Sequence, residues 1–295
     1  MKLRSVMRVV GLVAAASLLV SPLAGGPASA ASKYKLLWSQ EFNGKANTRV
    51  DQKIWNYEMG LGPNGEKEYY TTYSGNSAMD GKGNFNINAL LIKEGSKLYN
   101  YCMPDVIDNC WYASARLNTG NKVGFKYGRM SARIKMPAGT GVWPAFWMLG
   151  QSINQAVTWP DCGEIDIVEA KDSPNTMVFG TAHGPGYSGG GGLGDVISNN
   201  ASLADGFHTY TIDWQKDKVQ WYFDGVLYHT IVPSDTYGKP WVFNQEFFLI
   251  MNLAMGGMFV GNPVFSDITP TPKATMSIDW IRYYSVDGVG KVIKH

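Results

Sequence analysis

Arg129-Met130-Ser131-Ala132-Arg133-Ile134-Lys135-Met136 sets Met130, Ala132, Ile134 and Met136 on one side of an extended chain and Arg129, Ser131, Arg133 and Lys135 on the other. Such period-two alternation is a strand with one wet and one buried face. Similar runs occur at His208 to Trp214, Val219 to Phe223 and Met276 to Tyr284, and Asp224-Gly225 after the second of these is a hairpin signal. Beyond the N-terminal leader no twelve-residue window carries a helical apolar stripe, and Gly, Pro and Asn turns separate short strands. The chain therefore reads as all-β, an antiparallel β-sandwich.

Residues 1–30 read as a secretory signal: Lys2, Arg4 and Arg8 precede an apolar run from Val9 to Val20, and Ala28-Ser29-Ala30 offers a small-residue cleavage site. The run is about twelve residues, short of the ~20 that span a bilayer, so a secreted, extracellular protein is expected and no membrane partner. Of the 295 residues, 31–295 remain and fit one large β domain, expected to act as a monomer. The whole chain carries a net charge of +2; the leader holds three basic and no acidic residues, which leaves the mature chain at −1. Nothing in that balance suggests nucleic acid as a partner.

In an exported protein Cys102 and Cys110, eight positions apart, can bridge a loop, and Cys162 is left as a buried small hydrophobe. No CxxC or His-Cys cluster points to zinc. Gly184 to Gly194 holds seven glycines and reads as a mobile surface loop or as a lid or cleft wall.

Gly163-Glu164-Ile165-Asp166-Ile167-Val168-Glu169-Ala170 places three carboxylates in a strand-like apolar run, where charge is costly unless paired or used. Alternation puts Glu164 and Asp166 on one face and would turn Glu169, five positions from Glu164, into the core. A one-residue β-bulge near Ile167 or Val168 restores Glu169 to the same face. The glutamates are then roughly 13 Å apart along the backbone, within closing reach of two long side chains on a concave sheet. A close pair of carboxylates suits a retaining glycosidase, with Asp166 in a supporting part and Glu169 as the protonated acid. Three carboxylates would also suit a calcium ion.

Glu-Ile-Asp-Ile-Val-Glu resembles the E-x-D-x-x-E signature of glycoside hydrolase family 16, in its laminarinase-like branch. The resemblance extends, in family order, through Trp38 to Gly44, Tyr127-Gly128-Arg129, Gly141 to Gly150, Trp159 to Glu169, Thr181 to Gly184, Phe207 to Tyr210 and Asn252 to Gly257, covering about 34–285. It implies a concanavalin-like jelly roll with a carbohydrate cleft across a concave sheet. It also implies hydrolysis of β-1,3-glucan by Glu164, Asp166 and Glu169, with no cofactor for the chemistry. Lichenases and xyloglucan-active relatives use E-x-D-x-E, so the spacing here points away from them.

Trp143 and Trp147, evenly spaced around Pro144-Ala145-Phe146, can face the cleft together, and flat indoles suit the apolar faces of sugar rings. By resemblance Trp159 borders the sugar sites, His183 shares a cleft face with Thr181 and Phe179, and Asn76 and Arg116 are further polar candidates. Asn252, in the apolar strand Phe247 to Ala254, is expected to bond ligand or a catalytic carboxylate. Glu41 and Asp279 occupy positions that in many family members help bind a structural calcium. Mixed-linkage β-1,3-1,4-glucan, a galactan, and lectin-like binding without cleavage stay open as alternatives.

Overall fold

The computed structural model describes residues 32–92, 95, 110–171, 175–262 and 273–295; the expected leader and Cys102 lie outside them. Among these residues the strands are β1 Tyr34–Gln40, β2 Asn56–Glu58, β3 Gly60–Leu61, β4 Glu68–Tyr70, β5 Ser77–Met79, β6 Phe85–Leu91 and β7 Tyr112–Ser114. They continue as β8 Arg116–Asn118, β9 Val123–Lys126, β10 Gly128–Lys135, β11 Val142–Gly150, β12 Glu164–Ala170, β13 Met177–His183 and β14 Leu193–Ser198. The last are β15 His208–Gln215, β16 Lys218–Phe223, β17 Val226–Ile231, β18 Phe247–Met255, β19 Lys273–Val286 and β20 Lys291–Lys294. Among the described residues the helical segments are short 3₁₀ turns.

One sheet runs β17-β16-β15-β10-β19-β6-β7-β4-β3, with β1 on β19 and β5 on β6; the other runs β14-β13-β12-β11-β18-β8-β2, with β9 joining β18 and β20 joining β9. Pairing among the described strands is antiparallel except between β4 and β7, which lie parallel. The result is the antiparallel sandwich that the alternation predicts, in the jelly-roll form that the resemblance implies.

The Asp224-Gly225 hairpin joins β16 to β17 with φ of 45° and 82°, the two left-handed positions of a type I′ turn. Met130, Ala132, Ile134 and Met136 are buried as the pattern requires, and they meet Ile165, Ile167, Val168, Leu249, Met251 and Leu253 of the opposite sheet in one core. Truncating Ile167 to Ala in that interior would cost about 2–5 kcal/mol. On the outward face of β10, Arg129 pairs with Asp213 across β15 and Arg133 with Asp279 across β19.

The departure from regularity that matters most is in β12. Trp147 pairs with Asp166 and Phe146 with Val168, so Ile167 has no partner on β11, and on β13 the pairing jumps from Asp166↔Thr181 to Glu169↔Phe179. Ile167 and Val168 thus oppose a single residue, the bulge inferred from the odd spacing, and both are buried while Glu169 faces outward. Trp221, buried under the strand, donates its indole N–H to the Asp166 carbonyl at 2.7 Å and fixes the backbone just before the kink.

The glycine-rich stretch is not loop throughout: Gly189–Gly191 makes a 3₁₀ turn, and the edge strand β14 begins at Leu193. Cys110 is disulfide-bonded, its expected partner Cys102 lies outside the described residues, and Cys162 is a buried free thiol.

Candidate active site

Glu164, Asp166 and Glu169 line one cavity of about 330 Å³ on the outer face of the second sheet, together with Trp143, Trp147, Trp159, Arg116 and Asn252. The register explains the grouping, because three outward residues of β13 lie opposite the carboxylates in turn: His183 opposite Glu164, Thr181 opposite Asp166 and Phe179 opposite Glu169.

Each outer glutamate is held by an indole. Trp159 donates to Glu164 Oε2 at 3.1 Å, and Trp143 donates to Glu169 Oε1 at 2.8 Å. His183 Nε2 lies 3.0 Å from Asp166 Oδ2 and 3.7 Å from Glu164 Oε1. A Cβ on Gly192 would stand 2.5 Å from the His183 ring, so the glycine-rich segment closes over the far side of that imidazole.

Three carboxyl groups in so small a space cannot all be charged. Burial, then the charge of Asp166, pushes Glu164 well above the usual carboxylate range, and burial pushes Asp166 up to about 8. The two titrate as a pair, so a proton on one relieves the other. Glu169 is pushed up to about 8 by burial first and Asp166 second, against the opposing pull of the Trp143 hydrogen bond. Its burial has a visible source: Phe259 packs against both Trp143 and Phe179, at 5.2 and 5.4 Å between ring centroids, and Lys171 caps Phe259. A protonated acid beside a carboxylate that is ionised when its partner holds the shared proton is an arrangement that can serve as acid/base and nucleophile.

The family model for glycosyl hydrolases family 16 matches residues 65–282. The chain belongs to this family. Glucan endo-1,3-beta-glucosidase A1 of Niallia circulans is 35% identical to it over 84% of this chain, which spans only 37% of that relative's length. The Beta-glucanase of Rhodothermus marinus is 32% identical over 96% of both chains. Among solved structures, the laminarinase catalytic domain from Thermotoga maritima is 38% identical, with a TM-score of 0.75 and coverage of 85% of this chain and 98% of that one. The protein is thus a family 16 glycoside hydrolase.

In this glycoside hydrolase the two cleft tryptophans differ in what they hold. Trp143 steadies Glu169, whereas Trp147 donates to Asn252 Oδ1 at 2.8 Å, and Arg116 stacks over the Trp147 ring at 4.9 Å while pairing with Glu58 at 2.8 Å. Asn252 therefore bonds none of Glu164, Asp166 and Glu169; its amide donates to Tyr70 Oη at 3.2 Å.

Asn76 is a correction to the sequence reading. It is fully buried, donates to the Asn88 and Ala113 carbonyls and accepts from Thr71 Oγ1, so it ties backbone in the first sheet and does not line the cleft.

Glu41 and Asp279 do not fit a calcium site. Arg282 holds both oxygens of Glu41 in a fork at 3.0 and 2.8 Å, and Arg133 holds Asp279, so a cation would have to displace two guanidiniums. Among the described residues the one cluster with donors close enough for a metal is Glu164, Asp166 and His183, within 4.8 Å of one another. A nitrogen beside two carboxylates departs from the all-oxygen set that calcium takes.

Glu66 is a cleft residue that the sequence pattern does not reveal. It lines the same cavity, and Glu68 and Tyr70 stand behind it.

Proposed function

We propose that the protein is a secreted, retaining endo-β-1,3-glucanase that hydrolyses laminarin-type glucan by double displacement, acting as a monomer without a cofactor. The observation that carries this reading is the bulge in β12, which brings Glu164 and Glu169 to one cavity with Asp166 between them and an indole donor on each glutamate. The relatives named above, two of them glucan endo-1,3-beta-glucosidase and laminarinase by name, support β-1,3-glucan as substrate. The leader at 1–30 supports export.

Glu169 gives its proton to the glycosidic oxygen as the bond from that oxygen to the anomeric carbon breaks, and Glu164 attacks the carbon from the opposite face. Glu169, now a carboxylate, takes a proton from water, whose oxygen displaces Glu164 and restores both groups. His183 Nε2 lies 3.0 Å from Asp166 and 3.7 Å from Glu164, beside both carboxyls; a proton kept on Asp166 leaves the negative charge on the nucleophile.

The reading is tested by reducing-sugar release from laminarin, lichenan and agarose, with the product anomer followed by proton NMR in the first minutes. Fastest release from laminarin with the β-anomer first is expected. Initial α-product sinks retention, activity on agarose alone sinks the substrate class, and tight laminarin binding with no change in chain length makes the protein a binding module.

A further inference from the structure

The cleft holds a second carboxyl pair. Glu66 is 6% exposed and Glu68 0%; Glu68 Oε1 makes no hydrogen bond of good geometry, and the groups that face the Glu68 carboxyl are the Glu66 carboxyl and the Tyr70 hydroxyl. Glu68 Oε2 accepts the Met255 backbone N–H at 2.7 Å. Two buried carboxyl groups in contact share a proton, because two bare carboxylates would repel in a site that water does not screen.

The proton belongs to Glu68. Glu66 is the acceptor at the end of a run of hydrogen bonds that all point one way: Trp147 to Asn252, Asn252 to Tyr70, and Tyr70 to Glu66 Oε2 at 3.1 Å. Burial raises both acids, and it raises the fully enclosed Glu68 well above the usual range. A charged acceptor strengthens each bond behind it.

Position gives this charge a use. Glu66 lines the cavity that contains the reacting carboxylates, and a Cβ on Gly257 would touch the Glu66 side chain at 3.3 Å and Trp143 at 3.4 Å, so Glu66 stands beside the ring that holds Glu169. The Glu66 loop is pinned there by Met258 N–H to the Asn64 carbonyl at 3.0 Å and Lys67 N–H to the Met255 carbonyl at 2.6 Å. The neutral ligand groups that a fixed carboxylate at this place would recognise are hydroxyls.

We infer that Glu66 is a substrate-binding carboxylate that accepts a hydroxyl of a glucan unit bound against Trp143 and Trp147, and that Glu68 is the positioning residue that keeps it charged and fixed by donating a proton-borne hydrogen bond. This rests on the glucanase reading above.

Wild-type rates on laminarin test that reading, and calorimetric titration of laminarihexaose tests the inference whether or not wild type cleaves. Titrations use the Glu164→Gln protein as reference and the same protein with Glu66→Gln, Glu68→Leu or Glu68→Gln added. Affinity falls about tenfold with Glu66→Gln, the loss expected of one charged hydrogen bond. It falls similarly with Glu68→Leu and returns with Glu68→Gln, whose amide still donates. In otherwise wild-type protein, Glu66→Gln raises KM and changes kcat less. A lowered Tm with hexaose affinity unchanged in Glu66→Gln makes the pair purely structural and overturns the inference. Hexaose that fails to bind the Glu164→Gln reference overturns both it and the glucanase reading.

Discussion

Trp143 donates its indole N–H to Glu169 Oε1 across 2.8 Å, and the same ring packs against Phe259 at 5.2 Å. One residue thus opposes two effects on one carboxyl group: its apolar surface helps bury Glu169 and raise it, and its N–H favours the ionised form and lowers it. Burial wins, and the balance leaves an acid that is protonated at neutral pH and yet can give its proton up.

The alkaline limb of kcat/KM is therefore expected near pH 8, where Glu169 loses its proton. Trp143→Phe keeps a ring and removes the donor. The limb moves to higher pH, and kcat falls roughly tenfold, the scale of one hydrogen bond to a charged group. A pH–rate profile of the variant checks this; an unmoved limb would mean that the indole does not tune the acid.

Stability responds with the opposite sign to an ordinary salt-bridged carboxylate. Glu169 is raised from 4.5 to about 8 on folding, so between these pH values the folded protein binds more protons than the unfolded one. The folded state loses stability as pH rises from 4.5, and the full penalty stands above about 8. Glu169→Gln removes this term and is expected to be inactive but more stable than wild type at pH 8, by roughly 1–3 kcal/mol, with little difference at pH 4. Urea unfolding at the two pH values measures it.

Gly192 sits where a methyl group would strike His183, at 2.5 Å from Cε1, and Thr181 at 2.7 Å. Gly192→Ala should shift the imidazole off Asp166 and Glu164 and lower kcat about tenfold or more, the scale of a misplaced catalytic group. Gly190→Ala, with nothing within 4 Å of the added carbon, is the control and keeps wild-type kcat. Equal rates for both variants would show that the glycine-rich segment does not support the site.

The architecture and the placing of Glu164, Asp166 and Glu169 on one face were legible for the same reason: period two. Alternation at Met130 to Met136 gives the buried face directly, and its failure between Asp166 and Glu169 gives the bulge, since a carboxylate sent into Ile-Val core would be costly. Asn76 was not legible, because an amide that bonds ligand and one that satisfies buried carbonyls look alike until the Asn88 and Ala113 backbones are seen on either side of it. Glu41 and Asp279 misled for a related reason, as the guanidiniums that neutralise them come from residues far away in sequence.

Glu66 and Glu68 were hidden by topology. Their segment reaches the cleft through the parallel pairing of β4 with β7 and through backbone bonds with Met255 and Met258, none of which leaves a local pattern. A usable hint was present in Glu68-Tyr69-Tyr70, where a charge opens an aromatic strand, but a solvated edge carries the same letters.

The proposed double displacement depends most directly on the roles of Glu164 and Glu169. Glu164→Ala and Glu169→Ala, each assayed on an aryl β-laminaribioside with and without azide, separate nucleophile from acid/base by the anomer of the glycosyl azide formed. The α-azide from the Glu164 variant and the β-azide from the Glu169 variant are predicted. Wild-type-like activity in either variant, or the two anomers exchanged, would contradict the assignment.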